Sequence, residues 1–106
     1  MKRRLLTDFE LMVLLAVLRL EDAYGVTISR ELASTAGREV ALAAIYAVIE
    51  RLESRGLVES RWGEPTPERG GRAKKHVRVT RQGIRSIKDT QHALIALWSG
   101  IPALRR

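Results

Sequence analysis

Six cations, Arg69, Arg72, Lys74, Lys75, Arg78 and Arg81, fall within thirteen residues, and Gly70 and Gly71 lie among them. Cationic side chains at that density suit contact with phosphate, or insertion of arginine into a narrow minor groove. The two glycines let the backbone approach another surface closely. The bland alternative is a solvated loop whose charges serve solubility. Against it stands the distribution of charge. The 106 residues carry a net +7, yet residues 1–68 hold 9 Lys/Arg against 11 Asp/Glu, and residues 69–106 hold 10 against 1. The positive excess belongs to the last third of the chain, and acidic partners almost vanish after Glu68.

Enzymatic chemistry finds little support. His76 and His92 are the only histidines, and neither has ligand spacing to another His or Cys. The absence of cysteine excludes disulfides, thiolate metal sites and thiol nucleophiles. No glycine-rich phosphate cradle occurs, and the serines lack a base partner in the pattern. No catalytic residue, metal or cofactor is therefore expected. The longest apolar run, Leu11 to Leu18, is too short to cross a bilayer of about 30 Å as a helix. The expected location is cytoplasmic, and Lys2, Arg3 and Arg4 are taken as a solvated tail.

The elements that must position these residues are legible. Thr7-Asp8-Phe9-Glu10 is a capping box ahead of a helix running to about Leu20. Its residues 11–18 are apolar all round, which predicts a buried central helix. Asp22 is expected to cap a second helix over about 23–36, with Tyr24, Ile28 and Leu32 on one face and Gly37 as its stop. A third helix over about 41–55 places Leu42, Ile45, Ile49 and Leu52 inward and ends at Gly56. Two short helices joined by about four residues form a helix-turn-helix. The period then changes to two. Residues 57–62 and 74–80 predict two strands around a Gly/Pro loop, and Thr80 caps a fourth helix reaching about Ser99.

The expected fold is mostly α with a small β-hairpin: a winged helix-turn-helix plus a C-terminal dimerisation helix. Residues 1–80 form the first part and residues 81–106 the second, in one compact unit. The third helix is expected to enter a DNA major groove. Tyr46 is the long polar side chain of its first turns. Ala43 and Ala44, with Ala41 and Ala47, allow close approach and contact with thymine methyls but no hydrogen bonds to bases. Half-core packing of Tyr46 and the alanines is the alternative. Arg38 in the turn is a candidate phosphate contact, alongside Arg69, Arg72, Lys74 and Lys75. On the fourth helix Ile84, Ile87, Gln91, Leu94, Trp98 and Ile101 form a near-heptad seam with one polar interruption, suited to a homodimer. Trp98 is then an interface anchor or the wall of an apolar cavity between protomers. A protein-interaction module and a nonspecific architectural DNA-binding protein remain the rival readings.

The chain resembles the PadR family of bacterial winged-helix transcriptional regulators over nearly its whole length. The resemblance is carried by Tyr24-Gly25-Val26-Thr27-Ile28 and by the run from Ile45 and Tyr46 through Arg51-Leu52-Glu53-Ser54-Arg55-Gly56-Leu57-Val58. Trp62, Arg69-Gly70-Gly71-Arg72 and Val79-Thr80-Arg81-Gln82-Gly83 extend it. It implies a homodimeric DNA-binding regulator, usually a repressor, using the third helix and the wing, with a single C-terminal helix as in short-form members. Some members bind planar aromatic molecules between protomers beside a tryptophan of the last helix, which would make Trp98 an effector contact. Two departures stand out. Family members often place Ser, Gly and Thr where this chain has Ala41-Leu42-Ala43-Ala44, and an aromatic pair where it has His76-Val77.

Overall fold

The computed structural model describes residues 5–63 and 74–105. They form α1 (Asp8–Arg19), α2 (Gly25–Ala36), α3 (Leu42–Ser54), β1 (Val58–Trp62), β2 (Lys75–Val79), α4 (Arg81–Trp98) and a 3-10 turn (Pro102–Leu104). This is the winged helix-turn-helix order expected from the sequence.

The capping box opens α1 as its residue types dictate. The Thr7 hydroxyl accepts from the Glu10 amide at 3.2 Å, and the Glu10 carboxylate accepts from the Thr7 amide at 2.9 Å. The start of α2 differs from expectation. Thr27, not Asp22, caps it: the Thr27 hydroxyl accepts from the Tyr24 amide at 2.9 Å. The Asp22 carboxylate instead meets His76 of β2 at 2.7 Å, a partner 54 positions along the chain. Gly37 ends α2 in the left-handed region at φ 65°, where a side chain would be strained.

The core gathers Val13, Leu14 and Val17 of α1, Ile28 and Leu32 of α2, and Ile45, Val48, Ile49 and Leu52 of α3. Leu57, Val58 and Val77 of the hairpin and Ile87 of α4 close it. α1 is central but not buried all round, since Leu15 and Leu18 are exposed along one side. Leu42 also departs from its expected inward place, and Ile45 is the first side chain of α3 to reach the core.

The strands pair antiparallel with Val58 opposite Val79, Ser60 opposite Val77 and Trp62 opposite Lys75. The Val77 amide donates to the Ala23 carbonyl at 2.9 Å, so the α1–α2 connection is stitched to β2. Glu53 of α3 takes the Ser60 hydroxyl at 2.6 Å and the Lys75 ammonium at 3.4 Å, binding both strands to one helix. Thr80 caps α4 by accepting from the Gly83 amide, and Gly83 sits against the Leu57 carbonyl with no room for a Cβ. α4 packs on the body only through its first half: Gly83, Ile87 and Thr90 are buried. The Thr90 hydroxyl also accepts from the Leu6 amide at 3.0 Å.

One charge is buried within this frame. Glu10 is 5% exposed, and its second carboxylate oxygen lies 3.2 Å from Arg55, the C-cap of α3, and 3.8 Å from Arg51 of its last turn. Burial pushes its carboxyl up, but the Thr7 amide and the Arg55 guanidinium outweigh that and hold it below its usual value. Because the folded-state value is the lower one, the ionised carboxylate contributes stability above the ordinary carboxylate range. That contribution is lost as pH falls through the folded-state value. Glu10→Gln should therefore cost about 1–3 kcal/mol at neutral pH. Denaturant titrations at several pH values should show wild type and variant converging in acid, whereas an equal gap at all pH values would contradict this role.

Candidate nucleic-acid interface

The outward face of α3 is set by what its inward face buries. With Ile45, Val48, Ile49 and Leu52 in the core, a 3.6-residue period turns Ala43, Tyr46, Ala47 and Glu50 to solvent. Leu42 joins them at the first turn, 41% exposed. Tyr46 is 44% exposed, but its ring lies across the start of α2. A Cβ built on Gly25 would come within 2.5 Å of the Tyr46 hydroxyl oxygen. The hydroxyl is therefore turned onto α2, and Gly25 is the residue that admits it. Ala44 is exposed on the flank of the same helix.

The expected phosphate contacts divide into pinned and projecting groups. Arg38 lies 3.3 Å from the Asp8 carboxylate and 4.9 Å above the Phe9 ring, which fastens the turn to α1 and leaves its side chain 39% exposed. Lys75 is held by Glu53, and its side chain is mostly covered. Lys74 stands exposed with its ammonium 4.7 Å over the Tyr24 ring. Arg69 and Arg72 lie outside the described residues. Sequence reasoning passed over Arg61 of β1 and Arg30 of α2, both exposed. The strand alternation that turns Arg61 outward was the available signal.

The wing is mounted on the helices through His76. Its Nδ1 reaches the Asp22 carboxylate, which accepts from it, and its ring meets the Tyr24 ring edge-on at a centroid distance of 5.6 Å. Gly63, at the end of β1, passes so close that a Cβ there would stand 3.0 Å from His76 Nε2. An open hollow of about 510 Å³ adjoins this mount, lined by Glu59, Ser60, Arg61, His76, Val77 and Arg78. Nothing in the local sequence pairs Asp22 with His76, because the contact exists only once β2 lies beside the α1–α2 connection.

The seam expected on α4 is split in two. Ile87 is spent on the chain's own core and Ile84 is half-covered, whereas Gln91, Leu94, Trp98 and Ile101 are exposed. Ile95, Leu97 and Leu104, not included in the seam, are also exposed, with Leu97 at 74% and Trp98 at 65%. Among the described residues no cluster of three or more His, Cys, Asp or Glu could hold a metal, and no helix is long and apolar enough to cross a membrane.

The profile of the Transcriptional regulator PadR-like family matches residues 14–89, from the second half of α1 to the first half of α4. The chain belongs to this family. A PadR family transcriptional regulator from Eggerthella lenta is similar in structure, with a TM-score of 0.70 and 28% identity over 91% of this chain and 81% of that one. Two further structures share the fold at lower identity. A PadR-like transcription factor from Bacteroides fragilis has a TM-score of 0.74 at 22% identity, covering 92% of this chain and 89% of its own. A transcriptional regulator from Clostridium thermocellum has a TM-score of 0.73 at 21% identity, with the same two coverages. No curated protein matches. As a PadR-like transcriptional regulator the chain is not an enzyme, and its family implies regulation through DNA binding.

The close fit of Tyr46 on Gly25 can be tested directly. Gly25→Ala should cost about 1–3 kcal/mol by overpacking. Adding Tyr46→Ala removes the clash, so the double variant should be more stable than the sum of the two single losses allows. Additive losses in denaturant titrations would mean that the two residues do not meet.

Proposed function

We propose that this PadR-like regulator acts as a homodimer that binds a pseudo-palindromic operator through α3 and the cationic wing, and represses transcription there. The observation that carries this reading is the separation of two exposed surfaces on one small body. α3 offers an uncharged face in its first two turns, next in sequence to the hairpin that holds the positive excess. Beyond Thr90, α4 instead offers large apolar side chains that no element among the described residues covers. Pairing two copies through that end of α4 buries the apolar surface and leaves both α3 faces uncovered. Two reading helices would then lie about 34 Å apart, one turn of DNA.

In this arrangement Ala43, Ala44 and Tyr46 abut the base edges, while Lys74, Arg69 and Arg72 grip the backbone. Arg38 and Lys75 contribute chiefly by fixing the turn and β2 to their neighbours. Trp98 and its apolar neighbours would wall a cavity between protomers that accepts a small planar aromatic effector. Filling it changes the angle between the two α4 helices, and with it the spacing of the α3 pair.

Mobility-shift titrations against genomic fragments test the DNA reading. If each wing makes two or three phosphate contacts, the dimer's affinity should fall with salt at a log–log slope of roughly −4 to −5, at about −0.9 per contact. Replacing Arg69 and Arg72 with alanine should weaken binding to every sequence and flatten the slope. Unchanged affinity and slope would remove the wing, and retention without sequence preference would favour an architectural protein. Binding to a protein surface in place of DNA would favour the interaction-module reading.

Sedimentation tests the assembly. Wild type should run at twice its 11.9 kDa chain mass. Leu97→Asp should run at the single-chain mass with its circular dichroism retained, since Leu97 supports nothing within its own chain. A wild-type monomer would sink the dimer. Planar aromatic ligands should quench tryptophan fluorescence in wild type and Trp62→Ala but not in Trp98→Ala.

A further inference from the structure

We infer that α3 reads thymine through its 5-methyl group, with Leu42 as the residue that determines specificity. The inference rests on the DNA-binding reading above and names the base chemistry that the site would prefer. The exposed side chains of the first two turns are Leu42, at the uncovered start of the core stripe, with Ala43, Ala44, Tyr46 and Ala47. Four of these have no hydrogen-bonding side chain, and the Tyr46 hydroxyl is turned onto Gly25. Glu50, in the third turn, is the first charged side chain of the helix.

In the major groove every base edge carries donors or acceptors, and thymine alone adds a methyl. An apolar helix surface laid against amino and carbonyl groups strips their water and returns no hydrogen bond, which is unfavourable. Against a thymine methyl the same surface buries apolar area at little polar cost. Leu42 is suited to that contact because the fold makes no other use of it: it is exposed and outside the core. The alanines keep the backbone low enough for contact. Glu50 adds a restraint, since a carboxylate can accept from the cytosine amino group but faces repulsion from the acceptors of guanine and from phosphate. The cationic hairpin supplies the attraction to phosphate that such a helix lacks.

The test uses the full chain and duplexes selected from a random pool by retention on it. Each selected thymine is then replaced singly by uracil, which lacks the methyl and keeps the same major-groove acceptor. A methyl in contact should be worth about fourfold in affinity, the equivalent of about 0.8 kcal/mol. Loss of that size is expected at one or more positions within the site, and none for uracil placed between half-sites. Leu42→Ala should erase the thymine preference at one position of each half-site, and Leu42→Met should restore it. Since Leu42 is not core, circular dichroism of both variants should match wild type. Retained duplexes that tolerate uracil at every position would overturn this inference alone. Retention of no duplex would overturn the DNA-binding reading, and this inference with it.

Discussion

Burial of Ile45, Val48, Ile49 and Leu52 beneath α1 is the contact on which the rest of the structure depends. Each aliphatic side chain taken wholly out of water contributes about 1.5–3 kcal/mol, so these four fix the rotation of α3 about its axis. Once that rotation is fixed, Ala43, Tyr46, Ala47 and Glu50 have no choice but to face outward, whereas Leu42, on the core stripe, is exposed because it lies at the first turn where that cover has ended. The surface proposed to meet DNA is thus the complement of the core surface, from one thirteen-residue helix. Glu10 reinforces the same docking from the polar side, because Arg51 and Arg55 come from the last turn and the C-cap of α3.

The hairpin is positioned by attachments at both of its strands. Glu53 receives Ser60 and Lys75, the Ala23 carbonyl receives the Val77 amide, and Asp22 receives His76. Ion pairs take up two of the charges that made the last third of the chain look uniformly cationic, and one in the helix-turn-helix. Lys75 and Arg78 are paired with Glu53 and Glu59, and Arg38 with Asp8. The positive excess available to a polyanion is therefore smaller than the count of cations, and among the described residues exposed cations stand at Arg30, Arg61, Lys74 and, on α4, Arg81, Arg85 and Lys88.

α4 shows how a single periodic stripe can serve two purposes. Its stripe reads as one seam because hydrophobic spacing of three and four gives no sign of where a partner element ends. The body of the domain covers α4 as far as Thr90 and no further. Ile87 is consequently core, whereas Leu94 and Trp98, on the same stripe, are surface. The apolar reading of residues 11–18 met the same limit: it correctly located a central helix but could not say that Leu15 and Leu18 lack a cover.

By itself the sequence determined what depends on neighbours a few residues apart. Such features are the Thr7–Glu10 capping box, the left-handed stop at Gly37, the change of period at Val58, the Thr80 cap and the family-like run around Tyr46. Capping, turn formation and amphipathic period are short-range properties of a chain, and the order of elements follows from them. Only the tertiary structure decided which partner each side chain would meet. It took Asp22 from its expected cap to His76, Arg38 from solvent to Asp8 and Phe9, and the Tyr46 hydroxyl onto Gly25. It also left Leu42 outside the core. Those outcomes turn on contacts between residues 20 to 54 positions apart, or on the place where a neighbouring element stops. Packing sets such distances, and no local pattern encodes them.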